Sequence, residues 1–414
     1  MRVAFAALIA LVLAPAAAAW APISTTPLQN IDRPAVLRTS TGTELVTWDD
    51  NSSGLWLWSS KSGARQIETV PFVSQPQLVQ QPSGAIQLYV GSGSGVTRFQ
   101  SSDDGATWTG PFAIVSPTTT GPVVSAALRA DGTPMFTQDS TFGINIFQGL
   151  NGEQSHQVFS ACCGYAESLA VDTANYAQVA FWSNATAFPN EFVYEGLDGN
   201  GAQAGPGRPF GTPQTAPRDD SVPLVADTSG RTFMGWAAGY PTATAFAVNT
   251  FQGGNLGYST VVGGGTFSGG DPHMALATDP ANRLWAVWTQ NGVVHARRSR
   301  SAAHHFGAAT TTGTGGASAY QLAAIALRDG RVDAFLNTGA AIVHQTFVPG
   351  LTAVATATKV TVTDDGFGVK AKLKGGGKTL STSAAGVATL SGFKRGTRFT
   401  ASAPGYAPVS FTKR

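Results

Sequence analysis

The stretch DPHMALATDPANRLWAVW, Asp271–Trp288, contains a Pro-led approach, a short apolar strand, a turn carrying Asn282 and a second apolar strand. Alternation in RLWAVW and the flanking turn residues predict a β-hairpin, not a helix. Six other stretches share this form. They are RPAVLRTSTGTELVTW from Arg33, QPQLVQQPSGAIQLYV from Gln75, GPVVSAALRADGTPMFT from Gly121, YAESLAVDTANYAQVAFW from Tyr165, VPLVADTSGRTFMGW from Val222 and AYQLAAIALRDGRVDAFL from Ala319. Their second strands begin near Glu44, Ile86, Thr133, Tyr176, Arg231, Asn282 and Arg331, at intervals of 42 to 55 residues. Third strands follow, such as GVTRFQ, EFVYEG and GVVHAR. That period fits the four-stranded blades of a β-propeller.

A ring of blades has to close, because an open first or last blade leaves unpaired strand edges. The N-terminal WAPISTTPLQNIDRPAV parallels WTGPFAIVSPTTTGPVV, Trp108–Val124, in which a fourth strand leads into the next blade. Trp20 to Pro27 therefore reads as a lone fourth strand that completes a seventh blade, whose own strands stop near Phe347. The expectation is an all-β chain with a seven-bladed propeller over residues 20–350. Six blades is the alternative, because the fifth and sixth repeats are long.

Composition agrees with short strands and many turns: charged residues are 12%, with 49 Gly and 23 Pro. Residues 1–19, MRVAFAALIALVLAPAAAA, pair one basic residue with an apolar run ending in small alanines, which reads as a secretory signal peptide. Pro15 and the trailing alanines argue against a transmembrane anchor. The mature chain is expected to be a soluble monomer, secreted or periplasmic, for which nucleic acid is not an expected partner.

One hairpin is more specific than the rest. In SSDDGATW, Ser101–Trp108, the positions Ser101, Asp103, Gly105, Thr107 and Trp108 fit a turn whose carboxylate and hydroxyls bond turn amides, whose Gly takes an unusual backbone angle, and whose Trp packs between blades. These residues match the Asp-box, and the chain resembles the sialidase-like propeller superfamily. Decayed versions stand at Ser59, Gly149 and Gly196. The resemblance implies that this hairpin lies on the face away from any active site, so the motif speaks for a fold and not for a chemistry.

The opposite face is formed by loops that lead into first strands or join second to third strands. Read in order, it carries Asp32, Arg33, Asp49, Asp50, Asp139, Glu167, Asp219, Asp220, Asp271, His273 and Tyr320. Such a carboxylate-rich rim suits glycoside hydrolysis by paired carboxyls, calcium binding, or plain turn capping by Asp. The sialidase resemblance implies an arginine triad, a Tyr nucleophile and a carboxylic acid. Arg33, in IDRPAV, takes the position of the first arginine, Arg218 is a second candidate, Tyr320 is the candidate nucleophile, and Asp49 or Asp50 the acid. The aromatic and Ile of the family's F/Y-R-I-P motif are absent, and no third arginine stands out. Other catalytic motifs, HExxH, P-loop, GxGxxG and GxSxG, are absent. His295 and His344 repeat in third strands, which argues for packing, and His304 and His305 adjoin a loop without an acidic partner. Cys162 and Cys163, the only cysteines, are adjacent; in an exported chain they form either a vicinal disulfide or two thiols.

Composition changes after about Gly350. Residues 351–414 carry seven of the eight lysines, with a net charge of +8 from ten cations and two acids, whereas residues 20–350 carry −7. Strand-like runs separated by DDG, GGG, AAG and APG predict a small antiparallel sandwich. The segments VTVTDDG, GVATL and ASAPGYAP resemble carboxypeptidase-regulatory or prealbumin-like Ig-type domains, which implies a spacer or adhesion module. Its charge suits anionic cell-wall polymers or lipids, ordinary solvated strand faces, or docking on the acidic propeller. The whole reads as an exported, non-catalytic recognition or scaffold protein for a carbohydrate or cell-surface ligand, with glycoside hydrolysis at the acidic rim as the alternative.

Overall fold

A computed structural model describes residues 20–24, 33–50, 53–69, 76–92, 95–114, 125–140, 143–160, 164–186, 188–199, 201, 203–207, 222–238, 244–265, 273–314 and 321–414. Every regular element among them is a strand. Among the described residues between 21 and 347, seven four-stranded antiparallel sheets form, one for each sequence repeat. Blade 1 comprises Ala35–Arg38, Glu44–Asp49, Leu55–Ser59 and Gly63–Glu68, and blade 2 comprises Gln77–Gln80, Ile86–Ser92, Gly95–Ser101 and Thr109–Ile114. Blades 3, 4 and 5 span 126–159, 164–207 and 224–264. Blade 6 comprises Met274–Thr278, Leu284–Gln290, Val293–Ser299 and Thr310–Gly313. Blade 7 takes Gln321–Ala326, Val332–Asn337 and Ile342–Phe347 from its own repeat and Ala21–Pro22 from the N-terminus.

The sheets form a closed ring, the propeller. Each innermost strand touches the next, and Gln321–Ala326 touches Ala35–Arg38. The Gly or Asn of each repeat has a local cause. Gly42, Gly84, Gly132, Asn175, Gly230, Asn282 and Gly330 all take positive φ between 57° and 92° in the hairpin joining first and second strands. Packing then follows from alternation. Seven apolar clusters lie between neighbouring blades, as where Leu45 and Leu57 of blade 1 meet Leu78, Leu88 and Phe99 of blade 2. At the closing seam Ile23 packs with Val46, Trp48, Phe335 and Ile342. The Ile23 amide donates to the Ile342 carbonyl at 2.9 Å, and the indole of Trp20 donates to Gly313 O at 2.9 Å.

Residues 351–414 form two further four-stranded sheets around a core of Val360, Val362, Leu373, Leu390, Phe399 and Ala401. They attach to the third-to-fourth-strand hairpin of blade 6. Arg298, at the end of a third strand, forms a buried ion pair with Asp364, donates to Gly330 O at 2.7 Å and reaches the Tyr406 hydroxyl at 3.3 Å. Asp365 accepts from the Arg300 amide at 2.6 Å and the Ser301 amide at 3.1 Å, and contacts Nδ1 of His305. Docking on the acidic propeller was one of the alternatives for the tail's charge, and the ion pair at the joint has the opposite polarity, a propeller arginine on a tail aspartate, because short-range geometry and burial outweigh the summed charge. His305 does have an acidic partner, and it comes from a segment 60 residues downstream.

Candidate functional site

The ring encloses a central channel of about 640 Å³ lined by all seven innermost strands, among them Val36, Leu78, Leu169, Val225, Leu276 and Ile325. Its middle is aliphatic because each innermost strand also packs against its neighbours, while Gln80 and Thr278 add polar groups to the lining. Arg38 and Arg328 lie at the channel end formed by the first-to-second-strand hairpins. At the other end, Arg33 precedes the first strand of blade 1. Its guanidinium donates to Ser168 Oγ of blade 4 at 3.4 Å, so its side chain crosses the mouth. Burial there lowers Arg33 to about 10.

The predicted rim residues divide by environment. Asp50 is buried and its carboxylate is a turn cap, accepting the Ser53 amide at 2.6 Å and the Gly54 amide at 2.9 Å as well as the Ser53 hydroxyl. Asp49 is buried at the end of the adjoining strand. Glu167 is buried in blade 4 and accepts from Thr137 Oγ1 of blade 3 at 3.4 Å. His273 is buried, its backbone bonded to Thr289 at 3.2 and 3.0 Å. Asp32, Tyr320, Asp219, Asp220, Asp271, Arg218, Cys162 and Cys163 lie outside the described residues, as does the side chain of Asp139.

The Ser101–Trp108 turn occupies the passage from third to fourth strand in blade 2. Ser101 Oγ accepts the Gly105 amide at 2.9 Å, and Asp103 accepts the Thr107 amide at 2.7 Å and its hydroxyl at 2.6 Å, which holds the carboxylate below its usual range. Gly105 has φ +85°, and a Cβ there would lie 2.9 Å from Leu45 of blade 1. Trp108 packs into the cluster between blades 1 and 2. Asp104 crosses that seam to Thr41 at 2.6 Å and Lys61 at 2.7 Å. Similar capping recurs in the first-to-second-strand hairpins, where Asp172, Asp227 and Asp279 each accept two turn amides at 2.8 to 3.1 Å.

Sequence reasoning missed one titratable cluster. Glu44 of blade 1 meets Asp333 and His344 of blade 7, with donor atoms within 4.8 Å of one another. Among the described residues no other group of three His, Cys, Asp or Glu lies so close. Burial, then the neighbouring Asp333 carboxylate, raises Glu44 to about 7. Burial opposes ionisation of Asp333, yet the His344 imidazole 3.2 Å away and a hydrogen bond from Thr346 hold it below the usual range. The imidazole stacks on Phe335 at 4.9 Å. The cluster spans the closing seam, and only the pairing of first and last repeats brings it together. Glu195, buried in blade 4, is raised to about 7 by desolvation alone.

No family model and no curated protein sequence matches the chain. Solved structures do match. Virginiamycin B lyase from Staphylococcus aureus aligns at a TM-score of 0.52 with 10% identity, over 78% of this chain and 97% of the lyase. A fungal alcohol oxidase of the AA5 family, solved with copper, aligns at 0.51 with 13% identity over 95% of this chain and 99% of its own. The NanB sialidase of Streptococcus pneumoniae aligns at 0.47 with 8% identity, over 64% of this chain and 66% of the sialidase. At these identities the likeness is one of fold.

Proposed function

We propose that the protein is an exported recognition or scaffold propeller that binds a carbohydrate or cell-surface ligand without turning it over. The observation that carries this reading is the engagement of Asp50 as a turn cap. A general acid needs a carboxyl facing substrate, and this one spends both oxygens on its own hairpin. The channel supports the same reading. Its wall mixes aliphatic side chains with Arg38, Gln80, Thr278 and Arg328 and carries no carboxylate, and Arg33 at the mouth pairs with a serine hydroxyl. Export is proposed from the leader-like residues 1–19, and the recognition class from the propeller fold, whose blade loops commonly carry binding residues. Calcium at the acidic rim remains part of the proposal.

The test is a glycan array together with fluorogenic glycosides, run on the mature protein with calcium and with chelator. Binding without turnover supports the reading, and a requirement for calcium places the ion at the rim. Turnover abolished by Asp49→Ala or Asp50→Ala in a folded variant overturns it in favour of a glycoside hydrolase.

A further inference from the structure

The outer sheet of the C-terminal segment has an unusual face. Its strands Lys372–Gly375, Lys378–Ser381, Arg398–Ser402 and Val409–Thr412 pair so that Lys372 opposes Ser381 and Ser402, and Lys374 opposes Thr379 and Thr400. Opposed residues share a face, and all of these are exposed while Leu373, Phe399 and Ala401 point into the core. The face therefore presents lysines and hydroxyls, with Arg398 at its edge beside Thr412. At one end it opens into a cavity of about 430 Å³ floored by Ala371, Ala403 and Pro404 and flanked by Lys370, Lys372, Ser381 and Ser402.

The field over this face is of one sign. The only acidic side chains of residues 351–414, Asp364 and Asp365, are 0% and 3% exposed because both are buried in the joint with blade 6. Attachment to the propeller thus removes the segment's negative side chains from its surface. An apolar floor takes the face of a sugar ring, serines bond its hydroxyls, and lysines spaced about 7 Å apart along a strand meet a repeating anionic charge. A membrane is disfavoured by placement: the exposed apolar residues Val354, Val387 and Phe367 belong to the other sheet, so one surface cannot use both. No aromatic lies on the lysine face to stack a nucleobase.

We propose that the Lys372–Lys374 face and its adjoining cavity bind an anionic polysaccharide. This site is independent of the reading given to the propeller. The experiment measures binding of the full chain to polygalacturonate, dextran sulfate, neutral dextran, and phosphatidylserine vesicles at several salt concentrations. Two variants of equal charge are compared, Lys372→Ser/Lys374→Ser on the face and Lys359→Ser/Lys394→Ser away from it. The expected result is binding to an anionic polymer but not to dextran, weakened about tenfold by the face variant and less than about twofold by the other. Carboxylate and sulfate are told apart by which polymer binds more tightly. Equal loss in both variants, no binding to either polymer, or tighter binding to vesicles than to polymers overturns the proposal. Unchanged melting curves keep the comparison free of unfolding.

Discussion

Two hairpins of the propeller, in blades 2 and 6, have the same backbone and different owners of the carboxylate. In blade 2, Ser101 Oγ accepts the Gly105 amide at 2.9 Å, Asp104 and Gly105 have φ of 61° and 85°, and Asp103 caps the turn from within. In blade 6, Ser299 Oγ accepts the Ala303 amide at 2.9 Å, and Ala302 and Ala303 have φ of 55° and 66°. Ser301 stands where Asp103 would be, and Asp365 enters from the C-terminal segment to accept the Arg300 and Ser301 amides. The amides they take differ: Asp103 accepts the Thr107 amide, whereas Ser301 Oγ accepts the matching His305 amide at 3.3 Å and Asp365 adds partners for the amides of Arg300 and Ser301. A turn that lacks its own acid is a socket for another segment's.

The largest effect expected from breaking this contrast is at Arg298. Replacing Asp364 by Ala leaves the guanidinium buried without its partner, and a loss of about 3–5 kcal/mol is expected in urea unfolding. The paired Arg298→Met/Asp364→Leu variant should recover most of it. Removing the capping carboxylates comes next. Asp365→Ala should cost about 1–3 kcal/mol and Asp103→Ala, whose bonds are exposed, about 0.5–1.5 kcal/mol, and only Asp365→Ala should expose the chain near Gly350 to limited proteolysis. Gly105→Ala should cost about 1–2 kcal/mol, because it needs positive φ and crowds Leu45. Ala303→Gly, at the matching site of blade 6, should stabilise by about 1 kcal/mol.

The smallest effect is a pH dependence at the closing seam, where no turn carboxylate is involved. Glu44 keeps its proton in the folded state up to about 7, above its ordinary 4.5. The folded state therefore binds more protons than the unfolded state between these values, and stability should fall as pH rises through that window. Glu44→Gln should flatten the decline, which melting temperatures across the window would check.

The period of 42 to 55 residues made the propeller legible, because each blade repeats one local solution: a left-handed Gly or Asn between two alternating strands. The N-terminal strand was legible by its likeness to the segment after Trp108. The site was less so. Asp50 looks the same in sequence whether it faces a sugar or caps Gly54. Glu44 and Asp333 lie in different repeats and meet only because the ring closes. The socket in blade 6 was hidden for a further reason. Its turn has Ala at both left-handed positions and Ser in place of Asp, so nothing in SRSAAHHF marks it until Asp365 arrives.

The central claim is that the C-terminal segment is fixed to blade 6 by buried, short-range contacts and not held loosely by opposite net charge. Backbone ¹⁵N relaxation of the full chain at low and high salt tests it most directly. One rotational correlation time shared by residues 20–350 and 351–414, unchanged by salt, is the predicted result. Faster tumbling of residues 351–414, or tumbling that becomes independent as salt rises, would contradict it.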